Sequence, residues 1–239
     1  MPGAGPGRGR TYFAETETEK RLLRTLEQKL GKRLDRGPMV PAQEPKVVVI
    51  SGPSGVGKDA VIEGLKRVRR DMHFVVTATS RAARTGEVDG VDYFFVSTEQ
   101  FEEWIEQKQL LEHAVVYGEY KGIPKQQVEE ALKKNTDVVL RIDVQGAATV
   151  KRMIPHAISI FLVAESEASL VRRLVSRKTE PLDKLVIRVD TARDEVKRLQ
   201  EFDYVVVNEE GQLDKCVETI SSIIDADKAR CEQLPVEIE

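Results

Sequence analysis

The segment from Val47 to Asp59, VVVISGPSGVGKD, constrains the fold of this chain more than any other. Its apolar start predicts a buried strand, and the residues that follow match seven of the eight positions of the pattern G-x-x-x-x-G-K-[ST]. In that pattern, backbone N–H groups of a glycine-rich loop point inward at a polyphosphate, and the next helix adds partial positive charge at its N-terminus. The sequence therefore predicts a site for nucleotide phosphates, in preference to a turn that merely required glycine.

The last two residues of this pattern, Lys58 and Asp59, carry its charged side chains. A lysine at this position reaches the outer phosphates of a nucleotide, so Lys58 is a candidate catalytic residue. Asp59 departs from the pattern, because a Ser or Thr hydroxyl normally binds Mg²⁺ there. A carboxylate is also a hard oxygen ligand, so we expect metal binding to be retained with altered affinity.

Composition excludes several classes of protein. A formal net charge of -3 over 239 residues argues against general nucleic-acid binding. This net charge does not exclude a local cluster of arginines around a phosphate. Apolar runs such as Ile158–Val163 are too short to span a bilayer. Cys216 and Cys231 have no His or Cys at ligand spacing, so we expect free thiols and no cysteine-bound metal.

Residues 1–45 are predicted to form an extension that precedes the main domain. The first ten residues are rich in Gly, Pro and Arg, which predicts disorder. Leucines then recur at spacings of three and four from Leu22 to Leu34, which predicts an amphipathic helix over about 15–34. A linker follows at 37–45, so we expect the main domain to cover 46–239.

Strands and helices alternate through the main domain. The strands expected from apolar runs cover residues 47–50, 73–77, 137–143, 157–163 and 204–207. Their alternation with helices predicts an α/β fold with a parallel sheet and right-handed crossovers. In the middle of the chain we expect a further strand at 110–117, a turn at 118–122 and a helix that begins at Pro124.

Several charged residues either bind a ligand or simply face solvent. Arg81 and Arg84 can each present a planar fork of donors to a phosphate, but two exposed arginines are more often solvated surface. Glu112 lies inside an apolar strand, so it either binds a ligand or faces solvent on one side of an edge strand. Asp143 follows a strand at the end where parallel sheets bind ligands. Between the last two strands the helices are rich in arginine. These arginines form either a lid that closes on phosphates or an ordinary helix surface, and they are Arg172, Arg173, Arg177, Arg188 and Arg193.

Five segments together resemble the guanylate kinase family over about 46–227. In chain order they are SGPSGVGK, TATSRAARTGEVDGVDY, LLEHAVVYGEY, RIDVQG, and RRLVSRKTE followed by RVDTARDEV. Their order and spacing are not expected by chance. The GKD variant of the loop and the preceding leucine-rich helix resemble the plant organellar branch of that family.

The resemblance implies a fold, a reaction and a compartment. The fold is a P-loop NTPase-type parallel sheet flanked by helices, with an insertion that binds the nucleoside monophosphate at about 75–134 and a lid at about 177–193. The reaction is the phosphorylation of GMP, and also of dGMP, by ATP with Mg²⁺. The compartment is the plastid or the mitochondrion, with the cytoplasm as the alternative.

The resemblance also implies a role for each motif residue. The ATP-binding residues are those of the loop: Ser51, Gly52, Pro53, Ser54, Gly55, Val56, Gly57, Lys58 and Asp59. The residues assigned to GMP are Thr77, Arg81, Arg84, Glu87, Tyr93, Glu112, Tyr120, Lys121 and Asp143. The catalytic cations are Lys58, Arg177 and Arg188, and the metal ligands are Asp59 and, through water, Asp143.

The chemistry of phosphoryl transfer is compatible with these roles. Cations offset the repulsion between two polyanions, and no general base is needed because the acceptor phosphate oxygen is already ionised. Glu112 would accept hydrogen bonds from N1–H and the exocyclic amine of guanine. Adenine offers a lone pair at N1 and no amine beside it, so this carboxylate would select against AMP.

Three further positions depart from the family pattern. Lys121 replaces a neutral phosphate donor by a cation, and Ile123 cannot supply a hydroxyl to guanine. Arg141 stands where an acid is common. We therefore expect either looser guanine selectivity or selectivity that depends mainly on Glu112 and Thr77.

Two other functions stay open at this point. One is an interaction module of the same fold that binds phosphopeptides and has lost catalysis, and the other is a P-loop kinase with a different acceptor. The intact glycines and Lys58 favour the enzyme. We expect ATP and GMP as partners, neither nucleic acid nor membrane, and competition by guanosine tetraphosphate at Arg81 and Arg84 as a hypothesis.

Overall fold

The computed structural model describes residues 16–40, 42–116, 118–176, 182–231, 236 and 238. The chain divides into two compact units with the boundary between residues 41 and 42. In the first unit, helix α1 covers Glu17–Leu30, which is shorter than the predicted 15–34 because Gly31 ends it with a left-handed φ of 67°. Thr16 caps its N-terminus. The predicted disorder of residues 1–10 lies outside the described residues.

Strands and helices alternate over most of the second unit. The strands are β1 (Val47–Ser51), β2 (His73–Phe74), β3 (Ala78–Thr79), β4 (Phe94–Phe95), β5 (Leu110–Val116), β6 (Glu119–Pro124), β7 (Val138–Arg141), β8 (Ile158–Val163) and β9 (Tyr204–Val207). The helices are α2 (Lys58–Val68), α3 (Thr98–Glu106), α4 (Lys125–Lys133), α5 (Val144–Met153), α6 (Glu167–Ser176), α7 (Leu182–Lys197) and α8 (Leu213–Lys228), with a 3₁₀ turn at Leu199–Glu201.

Five strands form a parallel sheet in the order β2-β7-β1-β8-β9. This sheet confirms the predicted α/β fold, although β2 is only two residues long. β1 lies in the centre and all of its residues are buried. Because side chains alternate along a strand, Val48 and Ile50 pack toward α2 and α8, whereas Val47 and Val49 pack toward α4 and α5.

A second sheet, in the order β4-β3-β6-β5, is formed by the segment between β2 and α4. β5 and β6 are an antiparallel hairpin, and β3 pairs with β6. The predicted turn at 118–122 is therefore wrong. Gly118, with φ of 80°, completes the reversal, so that the residues from Glu119 onward can pair with β5. Pro124 ends β6 and is the N-cap residue of α4, so the helix begins at Lys125, one residue later than predicted.

Two expectations about the chain as a whole can be checked on the described ranges. Within those ranges, no helix combines the length and the apolar character needed to cross a membrane. The two cysteines are free thiols, as predicted, with Cys216 buried and Cys231 exposed.

Candidate active site

The glycine loop joins β1 to α2 at the carboxyl end of the parallel sheet. Gly52 has φ of 138°, and a Cβ there would lie 2.4 Å from the carbonyl oxygen of Leu162 on β8. Gly57 has φ of 97°, and a Cβ there would lie 2.5 Å from the amide nitrogen of the Asn208 side chain. Both angles favour glycine, and a side chain would require a shift of the β8 backbone at Gly52 and of the Asn208 side chain at Gly57. The loop conformation is therefore fixed by its neighbours in the sheet.

Lys58, the first residue of α2, folds back over the glycine loop. Its ammonium group donates hydrogen bonds to the carbonyl oxygens of Gly52 and Pro53, the latter at 3.1 Å. The positive charge thus lies against the loop whose backbone would surround a phosphate. The role of Lys58 toward the outer phosphates stays a prediction.

Two residues outside the motif form hydrogen bonds to the loop. Asn208, which follows β9, donates from its side-chain amide to the carbonyl oxygen of Val56 at 2.8 Å. Arg173 on α6 donates to the same oxygen at 3.4 Å and to the Asn208 carbonyl oxygen at 2.9 Å. Asn208 was missed in the sequence, although its place after a strand at the ligand end of the sheet was an available signal.

Helix α7 brings a cation and a carboxylate to the loop. Arg188 donates to the Ser54 hydroxyl at 2.7 Å. Burial raises the pKa of Glu195, against the lowering influence of Lys58 and of the Ser54 N–H group. One oxygen of this carboxylate, Oε2, is buried without a hydrogen-bond partner among the described residues. Arg177, the other predicted cation of this region, lies outside the described residues.

Among the predicted phosphate cations, Arg81 lies against the Tyr93 ring, and Arg81 and Arg84 are both bonded to Glu87. Arg81 makes two hydrogen bonds to Glu87, at 2.6 and 2.7 Å, and its guanidinium carbon lies 4.9 Å from the Tyr93 ring centroid. Glu87 also accepts from the Arg84 N–H group at 2.8 Å. The bond from Arg81 and that from the Arg84 backbone lower the pKa of Glu87 to about 2. Lys121 is half-buried. Its burial and, to a smaller extent, the positive charge of Arg81 lower the pKa of its ammonium group, so Lys121 belongs to the same cluster of cations.

Glu112 on β5 is buried, with 7% of its surface exposed, so the alternative of a solvent-facing edge residue is wrong. Burial, with a smaller contribution from the charge of Asp143, raises the pKa of its carboxyl to about 8. The carboxyl lies against Gly146 on α5, where a Cβ would come within 2.8 Å of Glu112 Oε2. Gly146 therefore provides the space in which this carboxyl is held, and its role was not recognised in the sequence.

Asp143 lies next to Glu112 and caps helix α5. Its Oδ1 atom accepts hydrogen bonds from the N–H groups of Gln145 and Gly146 at 2.9 and 2.8 Å. The carboxylate is thereby fixed at the carboxyl end of β7, where the sequence predicted a ligand site. The capping function was not part of that prediction.

The remaining residues assigned to guanine or its phosphate differ in how they are engaged. Thr77 lies between β2 and β3, and its carbonyl oxygen accepts a hydrogen bond from the Phe94 N–H group at 2.9 Å. Tyr120 stacks on Phe101 at 5.1 Å between ring centroids, and its hydroxyl donates to Glu102 at 3.2 Å. That hydroxyl is therefore bonded to α3 and not to the arginine cluster. Ile123 is fully buried in the core.

Asp59 and Arg141, two positions that depart from the expected patterns, form an ion pair with one another. A guanidinium nitrogen of Arg141 donates to Asp59 Oδ1. Another donates to the Tyr93 hydroxyl at 3.2 Å. No sequence pattern connects these two residues, and the expectation for Arg141 concerned only guanine selectivity, either looser or dependent mainly on Glu112 and Thr77.

The site thus combines a glycine loop, a lysine over it, a cluster of cations and a buried carboxylate. The family model described as guanylate kinase matches residues 44–227. The chain belongs to the guanylate kinase family. It is 58% identical over 218 residues to guanylate kinase 2, chloroplastic/mitochondrial, of Oryza sativa subsp. japonica, a match that covers 91% of this chain and 76% of that protein.

Bacterial guanylate kinases show the same relationship. The guanylate kinase of Halalkalibacterium halodurans is 42% identical over 188 residues, which are 79% of this chain and 91% of that protein. The crystal structure of guanylate kinase from Anaplasma phagocytophilum matches with a TM-score of 0.64 and 30% identity, covering 82% of this chain and 93% of that one. These comparisons confirm the predicted family, its fold and its enzyme class, the ATP-dependent phosphorylation of GMP.

Proposed function

We propose that ATP binds on the glycine loop and GMP binds between Glu112 and the arginine cluster, so that the two nucleotides meet at the carboxyl end of the parallel sheet. The observation that carries this proposal is the buried carboxyl of Glu112. A buried carboxylate needs partners, and guanine presents two adjacent donors, N1–H and the exocyclic amine. Adenine would leave the carboxylate unpaired.

On the donor side, residues 51–59 would hold the phosphates of ATP through backbone N–H groups. Support comes from the conformation of the loop and from the position of Lys58 over it. Arg188, which is bonded to Ser54, and Arg177 would spread the charge that develops on the transferred phosphoryl group. Their contribution is electrostatic, as expected for a reaction in which the protein supplies mainly position and charge.

On the acceptor side, Arg81, Arg84 and Tyr93 would bind the phosphate of GMP, and Lys121 would add a further positive charge. Glu87 has a different role in this proposal. Its ionised carboxylate holds the Arg81 guanidinium with two hydrogen bonds, and a carboxylate in direct contact with a phosphate would be repelled. Glu87 therefore orients Arg81 and leaves the phosphate to the cations.

For the base, Glu112 would be the main determinant, with Thr77 and Asp143 in support. The charge of Asp143 adds to the raised pKa of the Glu112 carboxyl, so Asp143 would support the base by a direct contact and not by favouring the ionised form of Glu112. In the complex, Glu112 would be ionised and would accept the two guanine donors. Ile123 is buried in the core, so it offers no contact that would compensate for a missing hydroxyl.

A kinase that uses ATP needs a divalent metal, and we propose Mg²⁺. Among the described residues, no group of three or more His, Cys, Asp or Glu side chains could hold a metal by itself. This donor set is compatible with Mg²⁺, which proteins usually bind with one or two carboxylates, waters and substrate phosphates. Asp59, whose carboxylate has a second oxygen beside the one bonded to Arg141, would be the direct ligand, and Asp143 would act through water. When bound, the metal neutralises charge on the β- and γ-phosphates.

The domain layout is part of the same proposal. The second sheet and helices α3 and α4 fall inside the proposed GMP-binding insertion at about 75–134. Helix α7 lies largely inside the proposed lid at about 177–193, and its contact with Ser54 supports that role. Limited proteolysis tests the layout: ATP should protect the 177–193 segment from cleavage and GMP the 75–134 segment. Protection that does not depend on the nucleotide would reject the assignment.

A product assay tests the proposed function. The purified chain is mixed with ATP, MgCl₂ and one acceptor, and nucleotides are separated by chromatography. We expect ADP and GDP in equal amounts with GMP, dGDP with dGMP, and only trace product with AMP. Failure to form GDP would reject the function, and equal rates with AMP would reject the role of Glu112.

Regulation by guanosine tetraphosphate is proposed because its guanine and 5′-phosphates present the same groups as GMP to Glu112, Arg81 and Arg84. Competition should raise the apparent KM for GMP and leave kcat at saturating GMP unchanged. The same concentration of ATP-side analogue, adenosine tetraphosphate, is the matched control. An unchanged KM for GMP would reject the hypothesis.

A plastid or mitochondrial location is proposed from the name of the rice relative, which is 58% identical to this chain. A fluorescent protein fused to the C-terminus of the full-length gene product should appear in plastids, in mitochondria or in both. Diffuse cytoplasmic fluorescence would reject an organellar location.

A further inference from the structure

Arg141 lies where three distant segments meet. It is the last residue of β7 and pairs in register with Ile50 on the central strand. Its guanidinium donates to Asp59, 82 positions away in the first turn of α2, and to the Tyr93 hydroxyl, 48 positions away and just before β4. One side chain therefore connects the helix that follows the glycine loop with the proposed site of the acceptor phosphate.

The contact with Tyr93 determines what its hydroxyl can do. A phenol has one proton to donate and oxygen lone pairs that accept. Because Arg141 donates to the oxygen, the hydroxyl proton is left for another acceptor. The guanidinium carbons of Arg81 and Arg141 lie 4.9 and 5.8 Å from the Tyr93 ring centroid, so two cations fix the ring as well.

Stability of the fold does not explain this arrangement. The Arg141 side chain is 28% exposed and that of Asp59 is 74% exposed. An ion pair with a largely exposed partner contributes little to the free energy of unfolding. The position of this charge at the junction of three segments is therefore better explained by a functional requirement.

We propose that Arg141 is a positioning residue for GMP, which keeps the Tyr93 hydroxyl as a donor toward the acceptor phosphate while Asp59 keeps Arg141 in place. This inference rests on the proposed function, because it takes Tyr93 to be a ligand of that phosphate. It gives Asp59, the one residue that departs from the loop pattern, a role on the acceptor side. It also predicts that Arg141 affects binding of the phosphate and not of the base.

The test uses isothermal titration calorimetry in EDTA without ATP, with GMP and guanosine as ligands. Arg141→Met should raise the Kd of GMP about tenfold, the size expected for a lost hydrogen bond to a charged group, and change the Kd of guanosine less than twofold. Arg141→Lys keeps the charge but not the fork, so it should show the same split between ligands. The thermal midpoint of each variant controls for folding.

A double-mutant cycle separates action through Tyr93 from a general effect. In a Tyr93→Phe background, Arg141→Met should weaken GMP binding less than threefold, because the hydroxyl that it positions is absent. Asp59→Asn should weaken GMP binding about threefold although it lies on the ATP side. Equal effects of Arg141→Met on GMP and guanosine, or a full tenfold effect in the Tyr93→Phe background, would overturn the inference. Absence of GMP binding by the wild-type chain would overturn the proposed function instead, and the first titration reveals it.

Discussion

In the proposed function, the glycine loop and the acceptor site bind phosphate by different physical means. In the loop, the donors are backbone N–H groups within a short segment, whose conformation is set by glycines such as Gly52 and Gly57. In the acceptor site, the donors are side chains such as Arg81 and Tyr93 that come from separate parts of the second sheet, and anions such as Glu87 hold them in place. A site built from backbone groups can therefore be predicted from one stretch of sequence, whereas a site built from side chains depends on the tertiary fold.

If the two sites act separately, removing the loop cation should slow phosphoryl transfer without affecting GMP binding. We expect Lys58→Ala to lower kcat by about 10²- to 10³-fold, since a single preorganised electrostatic donor contributes that much to a transition state. Steady-state rates of ADP formation measure kcat, and calorimetry without ATP measures the Kd of GMP, which should change less than twofold.

Lys66→Ala is the matched control, because Lys66 lies on the same helix and bonds only to Glu63 among the described hydrogen bonds and ion pairs. It should leave both kcat and the Kd of GMP unchanged within twofold. A tenfold loss of GMP affinity in Lys58→Ala would mean that the two sites are not separable.

The acceptor site should respond to pH through Glu112, and the loop should not. With a pKa of about 8, this carboxyl is protonated at pH 6 in the free protein, whereas guanine requires the ionised form. Affinity should therefore rise about tenfold per pH unit between pH 6 and 8 and level off above pH 8. Calorimetry with guanosine, which has no titrating phosphate, measures the effect, and the Kd of ATP serves as the comparison.

The same pKa has a consequence for stability. Between pH 4.5 and about 8 the folded state binds more protons at Glu112 than the unfolded state does, so its contribution to the unfolding free energy falls as pH rises through this window. Glu112→Gln should lack this component and should melt at a higher temperature than wild type at pH 7.5. A lower melting temperature for Glu112→Gln would contradict the raised pKa.

Crowding Glu112 from the opposite side should damage the acceptor site alone. A Cβ at Gly146 would lie 2.8 Å from Glu112 Oε2, so Gly146→Ala must displace the carboxyl. We expect the KM for GMP to rise about tenfold, as for one lost charged hydrogen bond, with the KM for ATP nearly constant. Gly31→Ala, where a Cβ would meet nothing within 4 Å, is the control and should change neither constant.

The smallest effect is expected from the anion that orients Arg81. Glu87→Gln keeps the size of the side chain and removes its charge, so Arg81 should lose part of its alignment but remain near the phosphate. The Kd of GMP should rise about threefold, the lower end for the loss of one hydrogen bond. Glu106→Gln on α3 should have no effect, and a tighter GMP complex in Glu87→Gln would show that Glu87 mainly repels the phosphate.

The contrast between the two sites also explains how much the sequence could predict. The loop, Lys58 and the five parallel strands follow from local patterns, and the structure bears out the sheet. The second sheet does not follow, because β6 begins directly after Gly118 and its segment has the composition of a turn. Burial of Glu112 could not be decided from one strand, since it depends on Gly146 and α5 on the other side.

Long-range pairs were the least predictable feature of the site. Asp59 and Arg141 each looked like a defect in a pattern, and only the adjacency of α2 and the end of β7 makes them partners. Asn208 reaches the loop from a segment with no recognisable motif, and Glu195, which lies in the segment RVDTARDEV, received no role from that pattern. Residues of this kind require the fold, because their chemistry is created by a contact between segments far apart in the chain.

The central claim is that a buried carboxylate in the acceptor site selects guanine while the loop provides the donor phosphate. The most direct measurement is the ratio of kcat/KM for GMP to that for AMP in the wild-type chain and in Glu112→Gln. We expect a wild-type ratio of about 10⁴ or more, as for a site built to pair the donors of its substrate, and a fall of at least tenfold in the variant. A wild-type ratio near one, or a ratio that Glu112→Gln leaves unchanged, would contradict the claim.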